Sequence, residues 1–250
     1  MVNTMDESDL REQLAALYLR LNGFFTSGFI VHAPQVELND KSQLRKNRTE
    51  VDILAVRFPH NGEPERQVEP ARFLCVSSEY IDLLICEVKG AKASVQFNDG
   101  LWAMPESVCS VLRWIGVFDE HQVSELIEPV SELLKPQEIN NHEKYREYVV
   151  PENLVANGKV RIRPILFAPD RQPSEKGQTK FIHGQELIDY VWACLRPDEA
   201  RATCVTRYDF GLWGLYEPLV RLFKDSEHKP TMGDVYGTLR STTRSDKKSC

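Results

Sequence analysis

The sequence lacks the marks of several protein classes. Its six cysteines stand at 75, 86, 109, 194, 204 and 250, and no two are spaced as CxxC. That pattern counts against a zinc ribbon or a disulfide framework and suits a reducing compartment. No apolar run approaches the ~20 residues needed to cross a bilayer. The opening MVNTMDESDLREQ is polar and acidic, without the apolar core of a secretion signal. The expectation is therefore a cytoplasmic protein with no membrane partner. A glycine-rich phosphate cradle is missing, which counts against a nucleotide-driven motor. The six histidines, at 32, 60, 121, 142, 183 and 228, have no metal-ligand spacing. Excess positive charge is missing as well. The formal net charge is -6, so nucleic acid, if bound, has to be met by local basic segments rather than by the whole surface.

What is present fits one large α/β domain. Hydrophobic residues make up 42% of the 250, enough for a sizeable core. Leu10, Leu14, Leu17 and Leu21 recur on one helical stripe after the cap candidate Ser8, and Asn22-Gly23 suits a left-handed helix end. Phe24 to Leu38 reads as extended. Val51 to Phe58, Arg72 to Ser78, Ile81 to Val88 and Val160 to Ala168 read as strands, with Pro164 pointing to an edge or a bulge in the last. Ile81 to Val88 is nearly all apolar, as a strand covered on both faces should be. Leu101 to Leu134, Gly184 to Leu195 and Phe210 to Phe223 carry helical patterns, while 140–152 is charged and linker-like. Cys75 and Cys86 read as small core residues, and Trp102, Trp114, Trp192 and Trp213 as core rather than base-stacking platforms. The expected domain spans 1–240, with a core at 8–100 and 155–225, a helical elaboration at 101–152 and a disordered tail at 241–250.

The chemistry concentrates in Glu87-Val88-Lys89. Acid-x-Lys spacings are common by chance, about two in a chain of this composition, and this one has three: Glu87/Lys89, Glu227/Lys229 and Asp246/Lys248. The last two lie in polar sequence. The first ends a buried strand, where charge is costly without partners or a task. Residues two apart on a strand share a face, so Glu87 and Lys89 point together. Asp52 begins the apolar run of the preceding strand, and if the strands are neighbours its carboxylate and that of Glu87 can converge on one ion. Hard oxygen ligands suit Mg²⁺ or Mn²⁺, and without an ion the two carboxylates repel.

Taken together, Glu12-x-x-Ala15-x-x-Tyr18-Leu19-x-x-x-Gly23-Phe24, Glu50-Val51-Asp52-Ile53-Leu54-Ala55 and Ile85-Cys86-Glu87-Val88-Lys89 resemble the PD-(D/E)XK nuclease superfamily, in particular its Holliday-junction-resolvase-like and Mrr restriction-endonuclease-like branches. The resemblance covers roughly residues 8–93. It departs from the pattern in the longer interval between Asp52 and Glu87 and in the absent proline. It implies a restriction-endonuclease-like fold, a mixed central sheet flanked by helices with a helical insertion. It also implies a Mg²⁺-dependent hydrolase with Glu12, Asp52, Glu87 and Lys89 as catalytic residues. Asp52, Glu87 and the Val88 carbonyl would hold the metal, Lys89 would assist the attacking water, and Glu12 would complete the site.

Lys41, Arg45, Lys46 and Arg48 form a basic run just before Asp52 and are the candidate contacts to a nucleic-acid backbone. The expected substrate is DNA, in restriction, defence or repair, handled by a homodimer or a larger complex. Two other readings stay open on the sequence: an RNA-directed nuclease of the same fold, and a catalytically silent module that binds nucleic acid or a partner protein.

Overall fold

The leucine stripe at the chain's start does form a helix, α1 (Glu7–Leu21), which buries Leu10, Leu14, Leu17 and Leu21. Its cap is Asp6 rather than Ser8: the Asp6 carboxylate accepts from the Ser8 and Asp9 amides while Asp9 reaches back to the Asp6 amide, a reciprocal capping box. The helix ends at Asn22, and Gly23 takes a φ of +88° that an L side chain rarely adopts. These features come from a computed structural model, which describes residues 6–32, 48–61, 68–136, 146–155, 158–172, 181–196 and 210–245.

The sheet is mixed. Strands β1 (Phe25–His32), β2 (Arg48–Arg57) and β3 (Tyr80–Val88) run antiparallel to one another in sequence order. The chain then crosses over through α2 (Asp99–Trp102), α3 (Pro105–Ile115) and α4 (Glu120–Leu134). It returns as β5 (Lys159–Ala168), parallel to β3, after the two-residue β4 (Tyr148–Val149). A short β6 (Ile182–His183) also pairs with β5 and leads into α5 (Gly184–Leu195), followed by α6 (Phe210–Asp225) and α7 (Met232–Ser245). The strand order is β1-β2-β3-β5-β4, with β6 branching from β5.

Helices cover both sheet faces. Leu84 and Cys86 of β3, with Ile53, Ala55, Ile165 and Phe167, pack under α1, α5, α6 and α7. Leu83 and Ile85 face the other way, where Val160 and Ile162 join Val108, Val111, Leu112, Val123, Leu126 and Val130 of α3 and α4. This two-sided burial is why β3 reads as a nearly continuous apolar run, interrupted by Asp82 and Glu87. The helices at 101–134 are therefore the layer that closes the second face of the sheet, not an appendage to it.

Several expectations need correction. Arg72 to Ser78 is not a strand: Arg72–Leu74 forms a 3-10 turn and Cys75 is left-handed at φ +42°. The neighbouring place in the sheet beside β3 is filled by β5, so the segment instead presents its Leu74 and Cys75 carbonyls to Arg163 and Arg161. Cys75 is consequently exposed, whereas Cys86 is core. Trp114 is exposed too, while Trp102 and Trp192 are half-buried; the Trp213 side chain lies outside the described residues. Pro164 falls between the stretches of β5 paired by β4 and by β6, a local edge where a missing amide does least harm. Helix α7 reaches Ser245, into the tail expected to be disordered, and 246–250 lie outside the described residues.

Candidate functional site

Three elements bring the expected residues together. Asp52 sits on β2 at an irregularity. Across the β1–β2 pair, Ser27 faces Leu54 but Phe29 faces Val51, so two β2 residues, Asp52 and Ile53, oppose the single Gly28. This bulge shifts the phase of the strand. Val51 and Leu54 both join the core beneath α3 and α4, while Ile53 joins the core beneath α1. Gly28 is required there, because a Cβ on it would stand 2.6 Å from the Asp52 carbonyl oxygen.

Strands β2 and β3 are adjacent, as the convergence of their carboxylates demands. Their register pairs Ile53 with Cys86, and one further step sets Asp52 against Glu87. The Asp52 carboxylate accepts a 2.6 Å hydrogen bond from the Val88 amide, which pins it to the end of β3. Glu87 is 2% exposed and pairs through one oxygen with the Lys89 ammonium. Its second oxygen, Oε2, is buried without a hydrogen-bond partner among the described residues. Lys89 follows the strand's end, where its amide donates to the Phe167 carbonyl at 2.8 Å, extending the ladder with β5. Its ammonium also donates to Asn98 Oδ1 at 2.8 Å. Glu12 is half-buried on α1.

The electrostatics of the group are unbalanced. Burial, then the nearby Asp52 and, more weakly, Asp9, Glu50 and Asp6, push the Glu12 carboxyl up to about 7. Burial and Asp52 also raise Glu87, against the opposing pull of Lys89. Asp52 is raised by burial, with the Val88 amide and Lys89 acting the other way. Asp52 and Glu87 thus share the Lys89 ammonium, and the Asp52 charge raises both Glu87 and Glu12.

The donor set fits a divalent cation with few protein ligands. Among the described residues, no three His, Cys, Asp or Glu side chains come together as a group that could hold a metal ion. Two carboxylates with a free, buried oxygen are enough for Mg²⁺, which keeps several of its waters.

Of the candidate backbone contacts, Lys41, Arg45 and Lys46 lie outside the described residues, as does the Arg48 side chain; the Arg48 backbone opens β2. Two neighbours escaped the sequence reading. Glu50 adds negative charge near Glu12 from two residues before Asp52, and Asn98 holds Lys89. The only prior sign of Asn98 was a polar Asn-Asp-Gly run, which reads as a turn.

Compared with protein-family models, with curated proteins and with solved structures, the chain finds no match in any of the three. The functional reading rests on the site's own geometry.

Proposed function

We propose that this chain is a divalent-cation-dependent hydrolase of phosphodiester bonds, a nuclease of the PD-(D/E)XK type acting on DNA. The observation that carries the reading is Glu87, a buried carboxylate with one oxygen on Lys89 and the other unpartnered, beside Asp52 and Glu12. A buried charge left this way is costly unless a cation completes it. The mixed sheet flanked by helices, with the carboxylates on adjacent strands and on the first helix, supports the same reading.

Asp52 and Glu87, with the Val88 carbonyl, would hold Mg²⁺ or Mn²⁺, and water would fill the remaining positions. A bound ion would polarise the scissile phosphate and ease deprotonation of water. The residues do the rest. The Val88 amide fixes the Asp52 carboxylate in one orientation. Lys89, held by Glu87 and Asn98, keeps one N–H for the attacking water or for the charge growing on a phosphate oxygen. Glu12, whose carboxyl is pushed up to about 7, would hold a water on the α1 side. The net change is a new bond from a water oxygen to phosphorus and the loss of one existing P–O bond, leaving a phosphate monoester and a hydroxyl.

The test is cleavage of supercoiled and linear DNA, single strands, branched junctions and RNA in Mg²⁺ or Mn²⁺, comparing the natural chain with Lys89→Ala. We expect cation-dependent cutting by the natural chain and a loss of at least ~100-fold in the variant. Preference for RNA would redirect the substrate. No cutting of any nucleic acid, or full activity in Lys89→Ala, overturns the proposal in favour of a binding module.

A further inference from the structure

Asn98 occupies the N-cap position of α2, with extended backbone at φ -64° and ψ 136°, yet its side chain makes no capping hydrogen bond. Asparagine is among the best residues for that task, because its carbonyl oxygen satisfies an otherwise unpartnered amide of the first turn. Here Oδ1 is turned away from the helix and accepts from the Lys89 ammonium at 2.8 Å. The local stabilisation that a cap supplies is forgone, and the hydrogen bond is spent on a charged group of the candidate site.

The segment between the two residues is held at several points. The Ala93 amide donates to the Gly90 carbonyl, and the Gln96 amide to that of Ser94. Arg171 donates from its guanidinium to the Ala93 carbonyl. Gly90 lies under Arg11, where a Cβ would stand 3.3 Å from a guanidinium nitrogen. Phe97 is buried in the core beneath α3 and α4, and the Leu101 amide donates to the Asn98 carbonyl. The backbone that carries Asn98 is therefore placed by the fold and does not depend on the Lys89 contact.

We infer that Asn98 is a positioning residue: it holds the Lys89 ammonium in the orientation that hydrolysis needs. The inference rests on the hydrolytic reading of the site. A lysine side chain has four rotatable bonds, and Glu87 alone would leave its ammonium free to swing about one contact. A second acceptor narrows that freedom. Two of the three N–H groups are then committed, and the third is left for water or phosphate.

Three variants separate positioning from capping. Serine caps as well as asparagine but is too short to reach Lys89; aspartate keeps both the reach and the acceptor; alanine keeps neither. Steady-state cleavage in Mg²⁺ of whichever nucleic acid the natural chain cuts best, together with melting temperature, is measured for Asn98→Ser, Asn98→Asp and Asn98→Ala. We expect Ser and Ala to lose about 10- to 100-fold in kcat with KM and melting temperature little changed, a size usual for partners that orient an active-site group. Asp should restore most of the rate. A Ser variant with unaltered kcat, or an Asp variant as slow as Ala, overturns the role of Asn98 while the natural chain's own cutting keeps the hydrolytic reading. A natural chain that cuts nothing overturns both.

Discussion

Strand β3 carries two buried acids, and they live in opposite circumstances. Asp82, near its start, is 0% exposed, and both its oxygens are occupied. Arg163 donates from Nε to Oδ1 at 2.9 Å and from a terminal nitrogen to Oδ2, and Arg161 donates to Oδ2 at 2.9 Å. The arginines go on to the Leu74 and Cys75 carbonyls at 2.6 and 2.8 Å, and Arg161 lies over the Tyr80 ring and reaches Glu147 at 3.2 Å. Glu87, at the strand's other end, shares one lysine with Asp52, feels the charges of Asp52 and Glu12, and has one oxygen with no partner among the described residues. Burial is the same, so burial does not distinguish the two acids. Charge balance does. In the first cluster both carboxylate oxygens meet arginines, and the one atom there without a partner among the described residues is Arg161 Nε; in the second it is the carboxylate itself that is left with a free oxygen, the place where we propose a cation.

This contrast predicts opposite signs for removing the two acids. Asp82→Ala strands two buried guanidiniums and should destabilise the fold by about 3–5 kcal/mol. Urea denaturation followed by circular dichroism gives the number. The double replacement Asp82→Leu with Arg163→Met should lose less than Asp82→Ala, because only Arg161 is then left without its carboxylate and it keeps Glu147. A loss below ~1 kcal/mol for Asp82→Ala would mean that water reaches this end of β3, and the comparison would collapse.

Glu87→Gln should do the reverse. It removes a repelling charge but keeps an acceptor for Lys89, so at alkaline pH in a chelator the variant should gain ~1 kcal/mol, or ~2–4 °C in melting temperature for a chain of this size. The same variant should lose the stabilisation that Mg²⁺ gives the natural chain, since half of the carboxylate pair is gone. Scanning calorimetry with and without Mg²⁺ reads both effects. A variant that melts lower than the natural chain in chelator would show that Glu87 is satisfied without a cation.

How much of this was legible beforehand follows from the range of the interactions. The apolar run of β3 and the spacing of Glu87 and Lys89 are local, and they placed the strand and its charged end correctly. Asp52 was legible from its position in the next apolar run, but the bulge that aims it was not, because it exists only across the pair with β1. Arg72 to Ser78 looked like a strand on composition. What decides against it is β5, which arrives from far along the chain to occupy the place beside β3. The Asp82–Arg163 pair joins residues 81 positions apart and left no trace in local pattern. Asn98 was missed for a different reason, since its type announced a cap or a turn and its use is neither. Helix α7, rich in Gly, Ser and Thr, has weak intrinsic helix preference, and its buried Val235 packs into the core under α1.

The smallest expected effect concerns pH, and Glu12 sharpens it. In the folded chain Glu12 keeps its proton up to about 7, against an ordinary 4.5, through burial and the charges of Asp52, Asp9, Glu50 and Asp6. The folded state therefore binds this proton more tightly than the unfolded state. The stability it brings is complete below about 4.5 and is lost as pH rises through about 7. Raised Glu87 and Asp52 act in the same direction. In chelator, the natural chain should thus grow less stable across that window, the opposite of a fold held by salt-bridged carboxylates. Glu12→Gln removes one titrating group and should flatten part of the fall, leaving the remainder to Asp52 and Glu87. Mg²⁺ should flatten more of it, because a cation favours the ionised forms that repulsion penalises. Denaturation midpoints at about half-unit pH intervals would show the slope. A stability that rises with pH in chelator would mean that the three carboxylates do not share one field, and the contrast between the two ends of β3 would then be one of pairing alone.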